Sequence, residues 1–275
     1  MQIFHTISDI RAWRNANRRV AFVPTMGHLH AGHLQLVREA KTHADQVIVS
    51  IFVNPTQFGI DEDLANYPRT ESRDCELLAA EGCDVVFLPS VETIYAPTAQ
   101  TTVTVSAVSQ NYCGASRAGH FDGVATVVCK LFNIVQPNVA VFGLKDFQQF
   151  VVIQTLVRDL HLPIEIIGVP TVREIDGLAM SSRNGYLSER ERICAPKIYH
   201  ILQHARDNLI AGKTIVDVET CAISALTHAG FDVDYFNVAR RSDLQFATLN
   251  DKELIILVAA KLGKTRLIDN LWLDR

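Results

Sequence analysis

The sequence predicts an α/β fold, a Rossmann-like doubly wound parallel sheet joined to a second, smaller α+β domain. Short β-branched runs alternate with segments of helical period as far as residue 169. The run QVIVSIFV (46–53) is apolar almost throughout, the pattern of a strand covered on both faces. After Arg183 the alternation gives way to two helical segments and three apolar runs. In order along the chain, VAFVP (20–24) reads as a strand and GHLQLVREAKTHA (32–44) as a helix with Leu34, Val37, Ala40 and Ala44 near one face. A helix over 71–82 precedes the strand DVVFL (84–88), and TTVTVS (101–106) alternates as a further strand does. A helix over 123–136, the strand VAVF (139–142), a helix over 146–160 and the strand IEIIGV (164–169) follow. Ser188 and Glu191 form a capping box that starts a helix expected to reach Ala211. A helix over 216–229 and the runs VDYFNV, LIILVAA and TRLIDN complete the tail. The two domains are expected at 1–183 and 184–275.

A chain of 275 residues suffices for two such units, and 48% hydrophobic with 20% charged residues is an ordinary globular composition. The formal net charge of −4 argues against a dedicated nucleic-acid binder. Residues 184–275 carry 12 Lys/Arg against 12 Asp/Glu, so the tail is neutral. The six cysteines form no C-x-x-C pair and no metal-ligand spacing, and read as free thiols. The N-terminus turns polar within a few residues, unlike a signal peptide. The apolar run Leu254–Ala260 is far short of the ~20 residues that span a bilayer. A cytoplasmic protein with no membrane partner is expected.

Residues 27–33, GHLHAGH, place three histidines and two glycines where the first strand gives way to the first helix. Ligands of open parallel sheets bind beyond the carboxyl ends of strands. A helix starting near Gly32 directs unpaired N–H groups and its positive dipole end into that crevice, which suits phosphate. Gly27 and Gly32 remove side chains that would hold a triphosphate off the backbone. His30 and His33 share one side of the opening turn and offer N–H donors to phosphate oxygens as charge moves onto a leaving pyrophosphate. Zinc binding through H-x-x-H lacks a third ligand of suitable spacing, and H-E-x-x-H is absent. Helix capping accounts for one imidazole but not for three beside two glycines, and acid–base chemistry by one histidine is compatible with phosphate binding. No G-x-G-x-x-G occurs. The GKT strings at 212–214 and 263–265 lack the earlier glycine of a phosphate loop, Asp207 and Val258 standing there, and read as turns.

HAGH (30–33) resembles the H-x-G-H signature of the adenylyl-transferring superfamily that includes class I aminoacyl-tRNA synthetases and small nucleotidyltransferases. More specifically, PTMGHLHAGHLQLVREA resembles the pantoate–β-alanine ligase family. SIFVNPTQF (50–58), YPRT (67–70), GHFDGVATVV (119–128), FGLKDFQQ (142–149), VPTVRE (169–174) and GLAMSSRNGYLS (177–188) extend that resemblance in family order. It implies an ATP-dependent ligase that activates pantoate as pantoyl adenylate, releases pyrophosphate, and passes the acyl group to β-alanine with loss of AMP, in coenzyme A biosynthesis. ATP with Mg²⁺ is the implied cofactor, and a homodimer the implied assembly.

The resemblance makes His33, His30, Lys145 and Arg183 the expected catalytic residues, since an anionic acid meets a polyanion only where cations and donors are arranged beforehand. ATP is expected along Met26, Gly27, His28, Leu29, His30, Ala31, Gly32 and His33. It is also expected at Gly143, Leu144, Lys145 and Asp146, at Val172 beside the adenine, and at Met180, Ser181, Ser182 and Arg183. Gln57 and Gln149, from loops after two strands, are expected at pantoate, with Gln57 also near β-alanine. Leu144 stands where the family pattern suggests a polar residue, which leaves backbone contacts there. Asp146 reads either as a helix cap or as a hold on the nucleotide or its Mg²⁺. No enzyme nucleophile is needed, so Cys113 is incidental. GIDEDLANYPRT (59–70) reads as a lid in preference to a solvated connection. The rivals are another H-x-G-H transferase whose product keeps the nucleotide, and a nucleotide-sensing or RNA-binding module; the neutral tail disfavours RNA, and a pure sensor would not need two loop cations beside the histidines.

Overall fold

The computed structural model describes residues 1–14, 18–60, 62–248 and 250–274. Its elements begin with β1 (Gln2–Phe4), α1 (Ile7–Trp13), β2 (Val20–Thr25), α2 (Ala31–His43), β3 (Gln46–Ile51), α3 (Glu71–Ala80) and β4 (Val85–Phe87). They continue with α4 (Val91–Ile94), α5 (Cys113–Ser116), α6 (His120–Val135), β5 (Val139–Gly143), α7 (Phe147–Asp159) and β6 (Glu165–Val169). The last third holds α8 (Glu189–Cys194), α9 (Lys197–Ile210), α10 (Ile215–His228), β7 (Asp232–Arg240), β8 (Glu253–Leu262) and β9 (Thr265–Asp274).

Strands β1 to β6 form a parallel sheet in the order β1-β4-β3-β2-β5-β6. Alternate side chains of the apolar runs serve two cores, because successive residues of a strand point to opposite faces. Phe22, Ile48, Val85, Phe87 and Phe142 pack with α6 and α7 on one face. Val23, Val49, Val86 and Val141 pack with α2 and α3 on the other. Strand β2 is flanked by β3 on one side and β5 on the other, so the winding reverses between β2 and β5 and opens a crevice at their carboxyl ends.

Strands β7, β8 and β9 form an antiparallel sheet. The continuous run in β8 has a physical reason: Leu254, Ile256, Val258 and Ala260 pack against α9 and α10, whereas Ile255 and Leu257 join the core of the large sheet. Gly212 lies between α9 and α10, and Gly263–Lys264 is the two-residue hairpin loop between β8 and β9, so both GKT strings are turns.

Two expectations are corrected. Residues 101–106 pair with no strand; the Val103 N–H donates to Thr126 Oγ1 at 2.9 Å and Val105 is buried, so the segment lies along α6 instead of entering the sheet. The helix from Ser188 does not run unbroken to Ala211. The capping box is present, but Pro196 cannot donate an N–H, and α8 ends before α9 begins.

Candidate active site

The crevice between β2 and β5 holds a cavity of about 240 Å³. Its floor is the opening stretch. After β2 the backbone turns through positive φ at Gly27 (+80°) and His28 (+51°) before α2 begins. Asp74 of α3, buried, secures the turn by accepting from the N–H groups of His28 (2.8 Å) and Leu29 (2.9 Å) and from Thr70 Oγ1 (3.1 Å).

His30 is the N-cap of α2 and its Nδ1 accepts from the Gly32 N–H at 3.1 Å; the His30 N–H in turn donates to His33 Nδ1 at 3.3 Å. The two rings stand with centroids 4.1 Å apart. Capping therefore involves both histidines, which corrects the expectation that it accounts for one. A Cβ on Gly32 would lie 2.9 Å from the His30 ring, so the glycine makes room for the cap as well as for a ligand. Because each Nδ1 accepts a hydrogen bond, the proton of each neutral ring resides on Nε2. Burial first, then Lys145 and His28, lowers the His30 pKa to about 4; burial, His30 and Lys145 lower that of His33 to about 3. At neutral pH both are uncharged donors.

The opposite wall is the connection from β5 to α7. Lys145 is largely buried and lies 3.9 Å from Asp146 Oδ2. Asp146 makes no side-chain cap of α7 and is half exposed at the cavity. Leu144 is buried, and its carbonyl oxygen is taken by Asn270 Nδ2 at 2.8 Å. The segment Met180–Arg183 closes the third side: the Met180 N–H donates to Val172 O at 3.0 Å, and Ser182 Oγ donates to His28 O at 3.2 Å. Arg183 is paired with Asp63 through two bonds of 2.8 and 3.1 Å.

Gln57 is buried in a short turn after β3, accepting from Asn54 Nδ2 at 3.0 Å with its Nε2 3.2 Å from Met26 Sδ. Gln149 lines the same cavity from the first turn of α7, not from a loop as expected. The cavity thus gathers Met26, His30, Gly32, His33, Gln57, Gly143, Lys145, Asp146, Gln149, Val172 and Met180 to Arg183. Gly27, His28, Leu29, Ala31 and Leu144 do not line it.

Sequence reasoning missed several residues here. His120 donates its Nδ1–H to Gln57 O at 2.7 Å, and Arg117 pairs with Glu62 and lies 2.9 Å from His120 Nε2. Burial, then Arg117, lowers the His120 pKa to about 4. Both lie in or beside the string GHFDGVATVV, and Tyr67 in YPRT, so the family strings held the only signal for them. Asp63 and Glu62 tie loop 59–70 to the cavity walls; Asp61 of that loop lies outside the described residues. Cys113 is a buried thiol 3.1 Å from Tyr235 Oη and does not line this cavity.

The sequence profile of pantoate-β-alanine ligases matches residues 2–272. The chain belongs to the pantoate–β-alanine ligase family. A family member from Acinetobacter baylyi, a pantothenate synthetase, is 58% identical over 94% of this chain and 92% of its own length. The crystal structure of pantothenate synthetase from Thermus thermophilus superposes with a TM-score of 0.95 at 43% identity, covering 98% of this chain and 99% of that one. The pantoate-β-alanine ligase from Francisella tularensis, solved in complex with β,γ-ATP and β-alanine, gives a TM-score of 0.83 at 37% identity over 98% and 97% of the two chains. The six-stranded parallel sheet and small antiparallel sheet described above are the fold of this ligase family.

Proposed function

We propose that the chain condenses pantoate with β-alanine at the cost of ATP, through pantoyl adenylate, and releases pyrophosphate and then AMP. Beyond family membership, one observation carries this reading: two neutral imidazole donors, a lysine and an arginine converge on a single cavity whose other wall presents neutral amides. Nε2–H groups of His30 and His33 donate to phosphate oxygens as charge passes to the leaving pyrophosphate. Lys145 and Arg183 neutralise the phosphates, Arg183 exchanging Asp63 for them. Gln57 and Gln149 bind the hydroxyl and carboxylate groups of pantoate, and Val124 and Val128 of α6 receive its geminal methyl groups.

Mg²⁺ enters with the triphosphate in this reading. Among the described residues no group of three His, Cys, Asp or Glu side chains is placed to hold a metal. A single carboxylate, Asp146 at the cavity, fits an ion carried mainly by phosphate oxygens and water. When bound, the ion offsets phosphate charge. Loop 59–70 acts as a lid, residues 1–183 and 184–275 act as two domains, and the enzyme works as a cytoplasmic homodimer. No helix among the described residues is long and apolar enough to cross a membrane.

The test is isotope exchange between ATP and pyrophosphate. Exchange that requires pantoate and proceeds without β-alanine is the expected result. Exchange without pantoate, or none with it, overturns the two-step mechanism.

A further inference from the structure

The peptide groups on either side of Lys145 are held from outside the large sheet. Asn270, on β9, is buried and its Nδ2 donates to Leu144 O at 2.8 Å and to Lys145 O at 2.9 Å. Those carbonyls belong to the two peptides that flank the lysine α-carbon. Fixing both planes fixes φ and ψ between them, and with them the direction in which the side chain leaves the backbone. An amide is suited to this work because its NH₂ group supplies two donors from one atom.

Asn270 is itself secured. Its N–H donates to Asp269 Oδ1 at 2.8 Å, and the Asp269 carboxylate accepts from Arg173 Nη1 and Nη2 at 2.7 and 2.9 Å. Arg173 follows Val172 and stacks 3.6 Å above the ring of Tyr199 on α9. One strand of the small sheet therefore grips both the 143–146 connection and the start of the 172–183 connection.

We propose that Asn270 is a positioning residue for Lys145, its paired hydrogen bonds setting the line along which the lysine enters the cavity. The proposal rests on the reading of Lys145 as a cation that acts on the triphosphate.

A double-mutant cycle tests it, read by pantoate-dependent ATP–pyrophosphate exchange on the full chain. Asn270→Leu keeps the branched shape of the side chain and removes the donors. In the otherwise unaltered enzyme it is expected to lower the exchange kcat by about 10- to 100-fold, with a smaller change in the KM for pantoate. In a Lys145→Ala background the same substitution is expected to cost less than about twofold, because the group it positions is gone. An equal fold-loss in both backgrounds, or unchanged exchange in folded N270L, overturns the proposal. Unchanged exchange in K145A alone overturns the reading of Lys145 and is distinguishable from either. Should N270L fail to fold, the smaller and still polar N270S is carried through the same cycle under the same criteria.

Discussion

Replacing Asp74 with asparagine probes how the opening turn is held. The carboxylate is 1% exposed and receives two backbone N–H groups and the Thr70 hydroxyl, with no solvent to substitute for it. Asparagine offers one acceptor oxygen where aspartate offers two, so either orientation of the amide points its NH₂ at a buried N–H. Loss of one charge-assisted bond, with the donor left unpaired, costs about 2–4 kcal/mol. For a chain of this size that corresponds to a fall in Tm on the order of 10 °C. The loosened turn carries His30 and His33, so exchange measured well below the new Tm should drop by at least about tenfold. Circular-dichroism melting and the exchange assay read the two effects. Glu76→Gln, on the exposed side of α3, is the control and should stay within about 0.5 kcal/mol of the parent. A D74N protein that melts within about 1 °C of the parent and exchanges at the parent rate refutes the assignment of the turn to this carboxylate.

Four further outcomes are expected. His33→Ala should lower turnover by about 10²–10³-fold through loss of a donor to the transition state while costing only about 1 kcal/mol of stability for the lost cap; a variant unfolded at assay temperature would make His33 chiefly structural. Nitrogen NMR of the ligand-free protein should find both rings neutral with the proton on Nε2, His30 titrating near pH 4 and His33 near pH 3, and an Nδ1–H tautomer would contradict the capping geometry. The pKa values of His30, His33 and His120 are depressed on folding, so below pH 6.5 the unfolded chain binds more protons. Stability should therefore be fully present above that pH and fall on acidification towards pH 4, each ring contributing at most about 1.4 kcal/mol per pH unit, and urea titrations with the same midpoint at pH 7 and pH 5 would rule this out. Asp63→Asn frees Arg183 of its partner and should tighten ATP binding by roughly 2- to 10-fold, a gain that calorimetry would show falling with added salt; unchanged or weaker binding would mean that Asp63 does not compete with the phosphates.

Much of this molecule is readable from local pattern because its strands are runs buried on both faces and its helices have one apolar side. The strands at 20–25, 46–51 and 139–143 and the helix at 31–43 lie where period and β-branching put them. The segment 101–106 failed for a definite reason: alternation reports which side chains are covered, not whether the backbone finds a strand to pair with, and Thr126 supplied a side-chain partner instead. Strand β1 escaped notice because three half-exposed residues at a sheet edge carry too little pattern. At the site, the histidines, lysine and Met180–Arg183 were legible as motifs. Asp74, Arg117, His120 and Asn270 were not, since an acid within a helix, an arginine before one, a histidine at its start or an asparagine in a strand has no local mark of its work.

By itself the sequence determined the class of fold, the crevice-facing position of His30, Gly32 and His33 and, through its family strings, the chemistry. Only the tertiary structure decided that both histidines take part in the cap of α2 and so carry their ring protons on Nε2, and that Asp63 occupies Arg183. It also decided that a strand 125 residues beyond Lys145 holds the lysine's backbone. The reason is physical: periodicity and turn chemistry act between near neighbours in the chain, whereas the tautomer, charge and aim of a side chain depend on whichever atoms the fold brings within about 3 Å of it.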